Sequence, residues 1–221
     1  MEFIETLRPT HERIVDKIVA HPMVDGLGDG SLDPAPFRYW VKQDYCYLTE
    51  YNRVFALGAS KAPDLDRMGT FATLLDATLT EEMDLHRAYA AEFDISEAEL
   101  EATAPSPTTR AYTDFLVRTA ALGTFDDLLA ALLPCMWGFH DTAVRLRESG
   151  MPDEPRYAEW VRTYTDEEFA ELVTWCKELL DERAVGLPDA RQRRVRELFE
   201  TSARYEYLFW DAAWREEAWP V

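Results

Sequence analysis

Lysine is scarce in this 221-residue chain: Lys17, Lys42, Lys61 and Lys177 stand among 23 basic residues against 42 acidic ones, for a net charge of -19. A balance this acidic repels a phosphate backbone and speaks against nucleic acid as a partner. Cysteine is also sparse, with Cys46, Cys135 and Cys176 too few and too odd in number for a disulfide framework, and none of them in a C-x-x-C pair. The four histidines (His11, His21, His86, His140) stand singly with no matching cysteine spacing, which excludes an ordinary zinc site. No Glu-x-x-His repeat is present for a di-iron carboxylate centre; Glu82 and His86, spaced i, i+4, are expected to pair with each other instead. The longest apolar run, Leu128 to Phe139, is interrupted by Pro134 and falls short of the ~20 residues that span a bilayer. The opening Met1-Glu2-Phe3-Ile4-Glu5 lacks the basic and apolar regions of a signal peptide, so a cytoplasmic protein with no membrane partner is expected. Scarce lysine with abundant acid also fits a salt-rich cytoplasm, because at ~1 M salt the Debye length falls to about 3 Å and self-repulsion largely disappears.

Alternating strand patterns are missing too, while 3.6-residue periodicity recurs almost throughout, so the chain reads as all-α. With 47% hydrophobic residues it can bury a sizeable core as one domain over 1–221, built from about eight helices. Helices are expected over about 3–20, 34–62, 63–93, a short stretch from 96, 108–122, 124–149, 155–164, 166–182 and 188–218. The glycine-bearing stretch from Asp25 to Asp33 reads as a plain loop, since no strand precedes it and its acids would repel phosphate. Pro134 deprives the Ala130 carbonyl of its helical donor and should kink its helix beside Cys135.

Two acids lie in phase with apolar stripes. One stripe is Phe37, Val41, Asp44, Leu48, Tyr51, Phe55; the other is Val195, Phe199, Ser202, Glu206, Phe209, Ala213. An ionised carboxylate among apolar groups costs several kcal/mol, roughly, unless it is paired or hydrogen-bonded, so each acid is a structural partner of an Arg or Tyr, or part of a site. Cys135 is a small core residue or a nucleophile, and as a nucleophile it needs help to reach the thiolate. His140 lies five residues on, roughly 140° round the helix, and so on the wrong face to give that help. Glu206 could act as acid/base, because burial raises a carboxyl pKa toward neutrality. Asp44, with Tyr47 and Tyr51 nearby on its helix, suits a flat, nitrogen-rich heterocycle. His11 or His21 could instead ligate a haem.

Several blocks, in order along the chain, resemble one family. They are His21-Pro22-Met23-Val24 with its glycine loop, Phe37 to Leu48 (FRYWVKQDYCYL), Leu133 to Gly138 (LPCMWG), Tyr157 to Tyr164 (YAEWVRTY) and Ser202 to Asp211 (SARYEYLFWD). Together they resemble the TenA, or thiaminase II, family in its cysteine-bearing branch. The resemblance implies a haem-oxygenase-like helical fold without haem, metal or other cofactor, assembled as a homotetramer. It implies hydrolysis of aminopyrimidine breakdown products of thiamin, and of thiamin itself in many members. By the same resemblance Cys135 is the nucleophile, Glu206 the acid/base, Asp44 the partner of the ring's amino and nitrogen edge, and Tyr47, Tyr112 and Tyr164 shape the pocket. Met136, Phe139 and Tyr51 depart from the family's usual proline, tyrosine and phenylalanine, and touch substrate preference rather than the catalytic positions. The rival expectations are a non-catalytic binder of thiamin breakdown products and a haem or di-iron protein on the same fold.

Overall fold

The computed structural model describes residues 2–221, with the backbone alone at 81, 82 and 85. Among the described residues there are eleven α-helices and no strand. They are α1 (Phe3–Val19), α2 (Pro22–Asp29), α3 (Pro34–Lys61), α4 (Leu65–Ala77), α5 (Met83–Ala91), α6 (Glu97–Glu101), α7 (Pro107–Leu122), α8 (Phe125–Ser149), α9 (Pro155–Tyr164), α10 (Glu167–Ala184) and α11 (Asp189–Trp214). None is long and apolar enough to cross a membrane.

The nine expected ranges, read as about eight helices, become eleven for two physical reasons. The first lies in the stretch read as a loop over 25–33, whose first half is helix α2. His21 caps it, Nδ1 accepting the Met23 N–H at 3.2 Å, and Pro22 fills the first turn, where a missing N–H is harmless. Its glycines serve close packing: a Cβ on Gly28 would come within 2.7 Å of Leu146 Cδ2. Gly30, at φ +80°, closes the helix in the left-handed conformation.

The second reason is a π-helical turn, Thr78–Glu82, which divides the helix expected over 63–93 into α4 and α5. Thr78 Oγ1 donates to Leu74 O at 2.8 Å, a local bond that competes with the regular ladder. A π turn inserts one residue and rotates everything after it by about 100°. Burial follows that shift. Phe71 and Thr78 face inward before the turn, and Met83, His86 and Ala90 after it, one residue later than an unbroken helix would place them. The Glu82 side chain of the expected Glu82–His86 pair lies outside the described residues.

Elsewhere the local chemistry forms the expected elements. Asp33 caps α3 through the Ala35 N–H at 2.8 Å, with Pro34 and Pro36 in the first turn. Ser96 caps α6 through the Glu99 N–H. Thr124 and Asp127 exchange backbone-to-side-chain bonds of 3.0 and 3.3 Å, a reciprocal capping box that opens α8. The last helix stops at Trp214, short of the expected 218, because Glu217 is used elsewhere: its carboxylate takes the Thr108 N–H at 2.8 Å and its carbonyl takes the Tyr39 hydroxyl at 2.7 Å. The first of these satisfies a free donor at the start of α7.

The chain divides into two compact units, one of Met1–Leu32 with Leu129–Asp211, the other of Asp33–Leu128 with Ala212–Val221. Two of the three divisions fall inside helices, α8 and α11, rather than in linkers. In the first unit Trp137 is stacked on His11 at 3.8 Å, with Lys177 Nζ 4.1 Å from its ring. In the second, Phe37, Trp40 and Phe93 form one aromatic group and Tyr47, Tyr51 and Phe55 another.

Gly58 lies where α3 meets α4, and a Cβ there would stand 2.3 Å from Phe71 Cδ1, a fully buried and rigid ring. Helix propensity alone favours Gly58→Ala by about 1 kcal/mol. The clash outweighs it, since overpacking costs about 1–3 kcal/mol or more. The variant should therefore lose about 1–2 kcal/mol in urea unfolding, and a gain in stability would refute this account of the contact.

Candidate active site

Cys135 and Glu206 belong to the first unit, on α8 and α11. Two contacts join these helices in step. Ser202 Oγ donates to Ala131 O at 2.6 Å, and two turns later on both helices the rings of Phe139 and Trp210 meet with centroids 5.7 Å apart. Cys135 and Glu206 each stand one turn after the first contact and one turn before the second, on the faces those contacts define. Glu206 is buried, 3% exposed, and Cys135 is half-buried. Pro134 lies within α8, which runs unbroken from Phe125 to Ser149. Ser202 takes up the carbonyl next to that of Ala130, the one for which Pro134 has no N–H to offer.

The other two thiols are poor nucleophiles. Burial pushes Cys46 up to about 11, and pushes the fully buried Cys176 higher still. Cys46 also points its Sγ at Thr103 O, 3.4 Å away. His140 is tied by Nδ1 to the Tyr164 carbonyl at 2.9 Å, in keeping with its place off the Cys135 face. Tyr164 itself ends α9, half-buried, with its ring 4.9 Å from both Phe139 and Trp160. Phe139, at the position where the family resemblance expected tyrosine, is thus a packing residue that links Trp210 to Tyr164.

Asp44, Tyr47 and Tyr112 belong to the second unit. Asp44 is 6% exposed, so its helical phase is read correctly. The Tyr47 ring lies 5.1 Å from Tyr51 and 5.2 Å from Tyr112, which makes an aromatic wall of residues from α3 and α7. One residue was missed. His86, on α5, is buried with Nδ1 3.6 Å from Asp44 Oδ2 and Nε2 2.7 Å from Val41 O. Its place depends on the π turn, for which Thr78 was the only local signal.

The remaining histidines are committed elsewhere. His11 Nε2 lies 2.7 Å from Asp141 Oδ2, and His21 caps α2 with Nε2 3.5 Å from Asp211 Oδ1. Among the described residues no group of three or more His, Cys, Asp or Glu is gathered as a metal-ligand set.

Comparison with known proteins bears on the family and the fold. The family model described as TENA/THI-4/PQQC family matches residues 8–216. An aminopyrimidine aminohydrolase of Halalkalibacterium halodurans is 44% identical over 220 residues, covering 99% of this chain and 98% of the relative. Among solved structures, a TenA homologue from P. horikoshii OT3 has a TM-score of 0.91 at 30% identity, covering 97% of this chain and 99% of its own. A domain from Shewanella denitrificans OS217, described as having a heme oxygenase-like fold, has a TM-score of 0.74 at 16% identity over 96% of this chain and 92% of its own, a likeness of fold alone.

Burial holds both His11 and His86 below the ordinary histidine pKa. Burial, the largest single influence on Asp141, would raise it, but the His11 hydrogen bond and the positive groups around it, Lys177 among them, together hold it below the usual carboxylate range. The pair is therefore a neutral His11 donating to an ionised Asp141. In the unfolded chain both histidines take up protons below about pH 6.5, while the folded protein resists. Stability is therefore complete above that pH and falls as pH drops toward 5, before most carboxylates titrate. Urea unfolding should give a value lower at pH 5.5 than at 7.5 by on the order of 1 kcal/mol, and a flat profile would contradict the assignment.

Proposed function

This chain belongs to the TENA/THI-4/PQQC family, and on that premise we infer that it is an aminopyrimidine aminohydrolase, a hydrolase of thiamin salvage. Its substrate is 4-amino-5-aminomethyl-2-methylpyrimidine, and its product hydroxymethylpyrimidine. The observation that carries this is the 44% identity to an enzyme of that name across 98% of the relative's length. The fold is all-α and haem-oxygenase-like, and forms one helical domain over 1–221; two of the divisions between its units falling inside helices supports this. Of the two histidines considered as axial haem ligands, His11 is tied to Asp141 through Nε2 and His21 caps α2 through Nδ1, which weighs against the haem reading.

The roles follow from chemistry. The Cys135 thiolate adds to an electron-poor carbon of the pyrimidine, forming a C–S bond. The electron-rich adduct expels the amine from the exocyclic methylene, and Glu206 gives the departing nitrogen its proton. Water adds at the methylene and returns a proton to Glu206, and loss of the thiolate restores the ring. The sum is one C–N bond hydrolysed, with ammonia and the alcohol formed and nothing oxidised. Asp44 holds the amino and ring-nitrogen edge, and Tyr47, Tyr112 and Tyr164 supply the aromatic walls. Three things support the Cys135 and Glu206 assignments: their matched places on α8 and α11, the burial of Glu206, and the raised thiol pKa of the other two cysteines. The protein works as a cytoplasmic homotetramer, needs no cofactor, and is adapted to a salt-rich interior.

Cys135→Ser should lower release of hydroxymethylpyrimidine by about a thousandfold or more while the pyrimidine still binds. Full activity in that variant would exclude the nucleophile, whereas native protein that binds the aminopyrimidine without turnover would make the chain a binder. Dialysis from ~1 M salt into dilute buffer should lower the unfolding midpoint, because 42 acids then repel one another unscreened. Undiminished stability there would remove the salt adaptation.

A further inference from the structure

From Thr103 to Ser106, between α6 and α7, the chain lies outside any helix, so its backbone groups need partners from elsewhere. Side chains supply them. Gln43 of α3, 5% exposed, serves two: its Nε2 donates to Ala104 O at 3.2 Å and its Oε1 accepts the Ser106 N–H at 2.9 Å. A carbonyl only accepts and an N–H only donates, so one orientation of the amide fits. Cys46, a turn further along α3, gives its thiol hydrogen to Thr103 O at 3.4 Å. From the C-terminal segment, Trp219 Nε1 donates to Pro105 O at 3.1 Å, and the Glu217 carboxylate accepts the Thr108 N–H at 2.8 Å and the Thr108 hydroxyl at 3.1 Å. Tyr39, a turn before Gln43, ties that segment down through its hydroxyl, which donates to Glu217 O at 2.7 Å. All of these residues belong to the second unit.

A loop held in this way fixes where α7 starts. Ser106 is the N-cap of that helix, its Oγ accepting the Thr109 N–H at 3.2 Å. Apolar burial is non-directional and favours close approach of two helices over many registers, whereas hydrogen bonds to particular atoms select one. Tyr47 lies one turn beyond Gln43, about 6 Å along α3, and Tyr112 lies beyond Ser106 by about 9 Å along α7. The two rings meet with centroids 5.2 Å apart. Two short, stiff lengths of helix therefore connect the amide clamp to the aromatic wall.

We propose that Gln43 and Glu217 are positioning residues for the substrate ring: one from α3 and one from the C-terminal segment, they set the register of α7 on α3 and so the place of Tyr112 against Tyr47. This rests on the reading of Tyr47 and Tyr112 as walls of the ring pocket. The residue type at position 43 follows from the clamp. Glutamate would turn an acceptor toward Ala104 O, and lysine would leave the buried Ser106 N–H unmet. Only a side-chain amide both gives and takes there, and asparagine is shorter by a methylene. Wall contacts are made alike in the ground state and the transition state, so a misplaced wall raises KM more than it lowers kcat.

Gln43→Met tests this, because it keeps the length of the side chain and removes both hydrogen bonds. With 4-amino-5-aminomethyl-2-methylpyrimidine as substrate, KM should rise about tenfold while kcat stays within about threefold of native. A substitution that only loosened the fold would shrink the active fraction, lowering the apparent kcat and leaving KM native, and that result overturns the proposal. Should Gln43→Met not fold, Glu217→Ala decides, since it releases the Thr108 N–H and hydroxyl from a half-buried residue beyond the last helix. KM should then rise about threefold with kcat near native, and a native KM overturns the proposal. In native protein labelled with 13C-tyrosine, hydroxymethylpyrimidine should shift the ring signals of Tyr47 and Tyr112. If neither moves, the wall reading has failed and takes the proposal with it; if they move and the folded variant keeps a native KM, the proposal alone is overturned.

Discussion

Helical phase is the constraint on which this structure turns. In an all-α chain a side chain's neighbours are set by where its position falls in the 3.6-residue repeat, and a slip of one residue rotates it by about 100°, from core to rim. On α8 and α11 the phase is kept across four turns in total: the Ser202–Ala131 bond and the Phe139–Trp210 contact are two turns apart on each helix, and Cys135 and Glu206 ride between them. On the helix that carries His86 the phase is deliberately broken, and the break is what turns that imidazole inward.

Burial then decides the chemistry each of these groups can do. Exposed acids cost little and number many on this surface, whereas Asp44 and Glu206 sit where a bare charge is penalised by kcal/mol rather than tenths. The same desolvation makes Cys46 and Cys176 inert thiols and keeps His11 and His86 neutral. Selection among similar side chains in this protein is thus made by environment. Three cysteines and four histidines are chemically alike in the sequence, and packing alone distinguishes them.

That division also marks what could be read before any coordinates. Asp44 and Glu206 were legible because they interrupt apolar stripes that remain regular on both sides, so phase alone predicts their burial. The caps at Asp33, Ser96 and Thr124 were legible because they act within one turn of their own position. His86 was not: its neighbour in a regular helix would have been Glu82, and only a bond from Thr78 to its own backbone hints that the register changes. Helix α2 was missed because glycine signals a turn in general, while Gly28 is present to let Leu146 approach. The end of α11 was missed for a related reason, since Glu217 caps a helix more than a hundred residues away. Local rules carry local features, and long-range use of a residue overrides them.

The acidity of the exterior and the acidity of the interior are separate devices, because solvent treats them differently. Ions from a salt-rich medium gather around exposed carboxylates and shorten the reach of their repulsion to a few ångströms, about 3 Å at 1 M. They cannot enter the space between Asp44 and His86, where both side chains are 8% exposed. Salt therefore acts on the balance between folded and unfolded chain and leaves the proton affinity of a buried pair nearly untouched, while pH acts strongly on the buried groups. A protein built this way can vary its surface charge to suit its medium without retuning its buried groups, provided that the helical phase holding those groups is preserved.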